Sequence, residues 1–474
     1  MVFSSILFLW VLFPVILVTY YIPLPFSNAR NRLKLQNFLL VVFSLFFYAW
    51  GEPKYIFLML LSVLINFSFG LLIEQKKQKS LLLAACVAAN LLLLGYFKYF
   101  NFFVEIWNAL AGEAAKLSVK TVALPIGISF YTFQALSYVV DVYRGENRAQ
   151  KSFLYMMLYI SFFPQLIAGP IVKYHDIEQQ IENRKVTLAD FSYGVKRFIL
   201  GLGKKVILSN TFAEVVDLVF AYHPMNVSRR LLWGAAILYM LQIYFDFSGY
   251  SDMAIGLGRM FGFSFQENFL LPYTATSIRD FWRKWHVSLS SWFREYVYIP
   301  LGGNRKGTVR TYINLITVFF LTGIWHGAGW TFILWGFYHG FFNILERCFL
   351  GKWMGKGRWN ILEHIYTLFV VLIGWVIFRA PTFSYALDYI RYMFLPHECM
   401  LQAERFFNSK LILYMLMGIL GSGILQSLLK QRKIRFAADG RISLAGMAGY
   451  MAVMWFSLML LVNNTYNPFI YFRF

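Results

Sequence analysis

WHGAGW, residues 325–330, places the imidazole of His326 between glycines and tryptophans inside a long apolar stretch. An ionisable side chain within a membrane segment is a functional candidate, because burying polarity in hydrocarbon has a free-energy cost that something must offset. Gly323, Gly327 and Gly329 carry no side chain, so a substrate or a second helix can approach closely. Desolvation disfavours imidazolium, and the neutral ring is the form that accepts a proton. One reading of His326 is therefore a general base, whose positioned proton transfer contributes about 10²- to 10⁴-fold in rate. The other reading is a packing histidine bonded to a nearby carbonyl.

Other chemistries find less support. His326 and His339 are 13 residues apart, and on a continuous helix turning about 100° per residue they point to nearly opposite sides, which argues against a shared metal. There is no H-E-x-x-H, and Cys86, Cys348 and Cys399 are scattered, so no metal site and no disulfide framework is expected. No G-x-S-x-G elbow marks a built-in serine nucleophile. Whatever His326 activates therefore belongs to a substrate. His286, in FWRKWHVSLSSWF, lies among Trp282, Arg283, Lys284, Trp285, Trp292 and Arg294. Aromatic and basic residues at this density suit a membrane-surface anchor. They equally suit the lining of a cavity open to the cytoplasm, where basic groups attract a polyanionic acyl carrier. Asp246 and Asp252, in FDFSGYSDM, either line that cavity or pair with basic residues. PLGGNRKG, residues 300–307, lacks phosphate-loop spacing.

These residues sit in a chain of 474 residues that is 59% hydrophobic and 14% charged, against about 25% charged in soluble domains. It reads as an integral membrane protein in contact with lipid. Segments such as KYIFLMLLSVLINFSFGLLI and IYTLFVVLIGWVIF approach the ~20 apolar residues that a spanning helix needs. The first apolar run lacks a basic leader and a cleavage pattern, so it reads as a retained helix. The net charge of +21 is expected to gather in cytoplasmic loops, so it sets orientation, and no nucleic-acid partner is implied. Placing the clusters at Arg30–Lys34, Lys76–Lys79 and Arg144–Lys151 inside puts the N-terminus outside and gives five crossings by about residue 142. YMMLYISFFPQLIAGPIV, with Pro164, Gly169 and Pro170, reads as a broken or re-entrant helix. Residues 279–310 hold seven Lys or Arg against two acids and read as cytoplasmic. A hairpin over 312–346 and spans near 362–379 and 409–428 follow. A basic patch from Lys430 to Arg441 precedes a last span near 442–462, and the tail NNTYNPFIYFRF lies outside. The expectation is one all-α polytopic membrane domain over 1–474, with about 10–12 crossings plus re-entrant segments.

PQLIAGPIVKYHDI, YFDFSGYSDMAIGLGRMFGF, NFLLPYTATSIRDFWRKWHVSLSSWFREYVYIPLGGNRKG and LTGIWHGAGWTFILWGFYHG together resemble the membrane-bound O-acyltransferase family, most of all its branch that O-acetylates exported polysaccharides such as alginate. The closing PFIYFRF fits the same resemblance. It implies a helical bundle around a central tunnel with catalytic histidines at His326 and His286. Trp282, Arg283, Lys284, Trp285, Trp325 and Asp246 would contact substrate along that tunnel. It implies a cytoplasmic acyl thioester such as acetyl-CoA as donor substrate, no tightly bound cofactor, and a bacterial inner-membrane location. The acyl group would reach the exported polysaccharide through an extracytoplasmic partner of the serine-hydrolase (SGNH) type. A related subfamily transfers D-alanine to teichoic acid from a small carrier protein. A proton-coupled transporter using His326 and Asp246 is the non-enzymatic alternative.

The charge pattern makes a topological prediction. In a variant whose native cysteines are replaced, an impermeant thiol reagent added outside should label Asn463→Cys and not Lys77→Cys; the reverse pattern would overturn the orientation.

Overall fold

The computed structural model describes residues 1–22, 28–352, 354, 360–424, 443–463 and 466–470. The described residues form helices joined by turns, with one isolated bridge between Val227 and Leu401. Seven of these helices are long and apolar enough to cross a membrane, and Phe8–Tyr21 and Ser409–Gly423 are shorter apolar ones. Other expected spans are shorter helices, such as Ile128–Arg144. The basic patch from Lys430 to Arg441 lies outside the described residues. The chain forms two compact units, Met1–Val195 with Met253–Gln266, and Lys196–Asp252 with Glu267–Phe474. Both inner boundaries of the first unit fall near or within helices, so no polar linker marks the division in the sequence.

The first unit contains α1 (Phe8–Tyr21), α2 (Ala29–Gly51), α3 (Ile56–Gln75), α4 (Lys79–Leu110) and α5 (Ile128–Arg144). Within it, α3 and α4 are tied by a reciprocal amide pair, Asn66 to Asn90 and back at 3.0 Å each way, the kind of polar contact that joins helices in lipid. The proline-rich stretch is a broken helix. α6 (Phe153–Ser161) ends at Phe162, which leaves helical geometry, and Pro164 opens the short α7 (Phe163–Leu166). Side chains take up the freed backbone groups: Phe163 N–H donates to Ser44 Oγ at 3.1 Å, and Gln165 Nε2 donates to Tyr159 O. The unit continues through α8 (Tyr174–Asn183).

The second unit begins inside α9 (Leu188–Gly203), at Lys196; the helix runs into a π-helical turn, Lys204–Ser209, and then α10 (Asn210–Ala221). This segment packs on α11 (Arg229–Met260), which carries FDFSGYSDM. The motif now has a physical reading. A Cβ added at Gly249 would lie 2.8 Å from Gly201 O, so the glycine lets the two backbones meet. On either side of that contact, Asp246 pairs with Lys205 at 2.6 Å and Asp252 with Lys204 at 2.7 Å, while Arg197 bridges Asp252 and Glu267. Asp246 Oδ2 also accepts the N–H of Ile470 at 2.8 Å, and Lys205 donates to Pro468 O. Residues 466–470 of the tail are thereby docked, with Phe469 stacked on Tyr250 at 4.9 Å.

Asp246 and Lys205 are 0% and 3% exposed, so each is the other's counter-charge. Lys205→Met should lower stability in detergent by about 3–5 kcal/mol, the usual effect of leaving one buried charge alone. Lys205→Met with Asp246→Asn should recover most of that loss. A single variant as stable as wild type would show that the pair is not structural.

Candidate active site

The site is built around a helical hairpin of the second unit, α14 (Thr308–His326) and α15 (Trp330–Cys348); before it lie α12 (Ile278–Lys284) and α13 (Val287–Phe293), and after it α16 (Asn360–Arg379). Gly323 and Gly336 face each other across the hairpin: a Cβ added to either would lie 3.4 Å from the other's Cα and closer still to carbonyls of the opposite helix. No side chain fits there. His326 is the last residue of α14, and its ring lies 5.0 Å from Trp335, 5.2 Å from Phe378 and 5.0 Å from Trp325, edge to face in each case. It is 7% exposed. Trp330, by contrast, points outward.

The helix breaks between His326 and Trp330, so the argument that separated His326 from His339 on one continuous helix does not apply. Both imidazoles pack against Trp335, each with its ring centroid 5.0 Å from the indole.

His286 is the N-cap of α13 and is held in a left-handed conformation, φ 45° and ψ 55°, a strained state for a residue with a β-carbon. Asn268, which sequence reasoning passed over, holds it there. Asn268 Oδ1 lies 3.2 Å from His286 Nδ1 and accepts from Ser288 N–H at 3.2 Å and Ser288 Oγ at 2.9 Å. Because the backbone N–H can only donate, the shared amide atom is the oxygen. His286 Nδ1 must then carry a hydrogen, which leaves the lone pair on Nε2. Burial pushes this imidazole down to about 3, so at neutral pH it is uncharged. Trp325 is near both histidines, 6.2 Å from the His286 ring and 5.0 Å from that of His326.

A cavity of about 780 Å³ lies beside these residues. Arg279, Arg283, Arg294, Arg305 and Arg347 line it with Trp282. The one lining carboxylate among the described residues, Glu346, is committed to the first turn of α12, accepting from Ile278 N–H at 2.6 Å and Arg279 N–H at 3.2 Å. Such a chamber suits an anionic ligand, since guanidinium groups bind phosphates and carboxylates in pairs of hydrogen bonds. Trp282 also packs on Trp335 at 5.5 Å, so a ring in the cavity wall touches a ring against His326.

The residues expected at the site therefore separate. His326, His286, Trp325, Trp282 and Arg283 come together around the hairpin and the cavity. Lys284 instead pairs with Asp280 at 2.7 Å, Trp285 is packed between Phe281 and Trp375, and Asp246 is held by Lys205 and the tail. Arg294, named with the cluster around His286, does line the cavity, whereas Trp335, Phe378, Asn268, Arg279, Arg305 and Arg347 were not singled out. The spacing WGFYHG after the first histidine motif is the one signal that could have found Trp335.

The buried His286 generates a pH prediction. Between its ordinary value near 6.5 and about 3, the unfolded chain binds a proton at this ring that the folded chain does not, so stability falls as pH drops through that window. Asparagine accepts left-handed geometry and does not titrate. The thermal midpoint of His286→Asn should therefore fall less between pH 7 and pH 5 than that of wild type; parallel or steeper loss would contradict the assignment.

The chain is 44% identical to the probable alginate O-acetylase of Pseudomonas putida over 81% of its own length and 79% of the relative's. It is 36% identical to the peptidoglycan O-acetyltransferase of Helicobacter pylori over 83% and 80% of the two chains. It is 28% identical to the teichoic acid D-alanyltransferase of Bacillus subtilis over 66% and 81%. The model of MBOAT, the membrane-bound O-acyltransferase family, matches residues 42–380. With the hairpin histidine, its aromatic surround and the spanning helices in place, the chain belongs to the membrane-bound O-acyltransferase family and is a multi-pass membrane enzyme.

Proposed function

We propose that this O-acyltransferase takes an acetyl group from a cytoplasmic thioester, acetyl-CoA, and delivers it across a bacterial inner membrane for O-acetylation of an exported polysaccharide such as alginate. An extracytoplasmic protein of the serine-hydrolase (SGNH) type is the intermediate acceptor. The observation that carries the reading is the five-arginine cavity whose Trp282 wall abuts the aromatic surround of His326. The names of the relatives from Pseudomonas putida and Helicobacter pylori support O-acetyl transfer to a cell-envelope polymer.

The chemistry follows from the parts. The phosphates of the donor lie among the guanidiniums, and its thioester reaches past Trp282. An acceptor hydroxyl loses its proton to His326 as its oxygen attacks the thioester carbonyl carbon. The tetrahedral adduct expels sulfur, the C–S bond breaks, and the thiol leaves with the proton that His326 returns. His286, with its lone pair at Nε2, orients the acceptor hydroxyl. The tryptophans keep water out, which limits hydrolysis of the thioester. The acetyl group alone crosses, because a nucleotide thioester cannot pass through about 30 Å of hydrocarbon.

His326→Ala and His326→Gln should both reach normal membrane levels and both lose acetylation of the polymer by about 10²-fold or more, because neither side chain takes up a proton near neutral pH. Near-native turnover in well-inserted His326→Gln would remove His326 as the base.

A further inference from the structure

His339 takes no part in this proton transfer, yet it is wholly buried, and neither ring nitrogen has a hydrogen-bond partner among the described residues. An unmade hydrogen bond in a dry interior is costly, so the surroundings must return something to the ring. What surrounds it is aromatic. Trp282 lies at 5.1 Å and 88°, Trp335 at 5.0 Å and 73°, and Tyr338 at 5.4 Å and 89°. All three are edge-to-face arrangements, the geometry that aromatic rings favour. On a further side the ring meets bare backbone: a Cβ added at Gly374 of α16 would lie 2.6 Å from His339 Nε2.

The two indoles it touches have the same peculiarity. Trp282 Nε1 and Trp335 Nε1 are buried and have no hydrogen-bond partner among the described residues, so ring packing alone sets their orientation. They are also the two rings between the arginine-lined cavity and His326. A residue that fixes both fixes that wall.

We propose that His339 is a positioning residue: seated against Gly374, it holds Trp282 and Trp335 in place as the wall that keeps water from the thioester at His326. The inference rests on the acyl-transfer reading above. The reaction it suppresses is hydrolysis, in which a water oxygen attacks the same carbonyl carbon, the C–S bond breaks, and acetate and thiol are released. Transfer and hydrolysis share the donor, and the wall decides between their acceptors.

The test uses the full-length purified enzyme and radiolabelled acetyl-CoA, with acetate release and acetyl transfer counted separately. His339→Gln removes the ring, whereas Gly374→Ala leaves His339 intact and pushes it from behind. Both should fold, shown by a thermal midpoint close to wild type, and both should keep the wild-type KM for donor because the arginines are untouched. Transfer should fall about 10²-fold, as for a misplacement of about 1 Å, while acetate released per transfer rises by a similar factor. An unchanged ratio of acetate to transfer in the folded variants, with both rates lowered together, would overturn the proposal and leave His339 a packing residue. If wild type neither transfers nor hydrolyses the donor, the acyl-transfer reading fails first, and the role of His339 falls with it.

Discussion

Where Gly323 meets Gly336, two helices touch backbone to backbone, and the position of His326 depends on that contact. With any side chain at either position the hairpin would open, because the neighbouring carbonyls already occupy the space. Close approach sets the end of α14 against Trp335 on α15, which puts a polar imidazole on an aromatic floor. Lipid offers no hydrophobic force to press helices together, so small residues and van der Waals contact must do it. The rest of the site is arranged around that floor. Trp282 reaches it from α12, Phe378 from α16, and His339 from below on α15.

The second organising feature is the separation of charge by purpose. Along α11 and its neighbours, carboxylates and ammonium groups neutralise one another in pairs that are buried, as Lys205–Asp246, or partly so, as Lys204–Asp252. Among the described residues lining the cavity next to the hairpin are five guanidiniums and one carboxylate, and backbone N–H groups of α12 already engage that carboxylate. Paired charges hold helices together, and the unneutralised ones face a space large enough for a ligand. A donor with several phosphates is the complement to such a space, and an apolar passage beyond it suits a small acyl group.

Much of this was legible in the sequence, for reasons that differ by residue. The spanning helices follow from runs of apolar residues, and the broken helix from Pro164 and Gly169. His326 stood out because an imidazole in hydrocarbon is rare, and its glycines correctly signalled a close helix approach. Asp246 and Asp252 are equally conspicuous, and pairing was one of the two readings open to them; which lysines would meet them depends on a π-helical turn that leaves no mark in composition. Lys284 and Arg283 are adjacent and alike in charge, yet a single helical step sends one to Asp280 and the other to the cavity. Asn268 was invisible because its role comes from a three-way hydrogen bond across 20 residues. The hairpin over 312–346 was legible, but that His339 meets the same Trp335 as His326 depends on how its two helices pack, which spacing along one helix does not give.

The central claim is that the acetyl group crosses the membrane while its carrier stays behind. It is tested most directly in sealed proteoliposomes holding the enzyme in one orientation, with labelled acetyl-CoA supplied only on the face that carries residues 279–310 and the purified SGNH-type partner only on the other. The account predicts acetyl label on the partner while the CoA stays on the donor side, with no permeabilisation required. Label that appears only after the vesicles are breached, or CoA that crosses with it, would contradict the account.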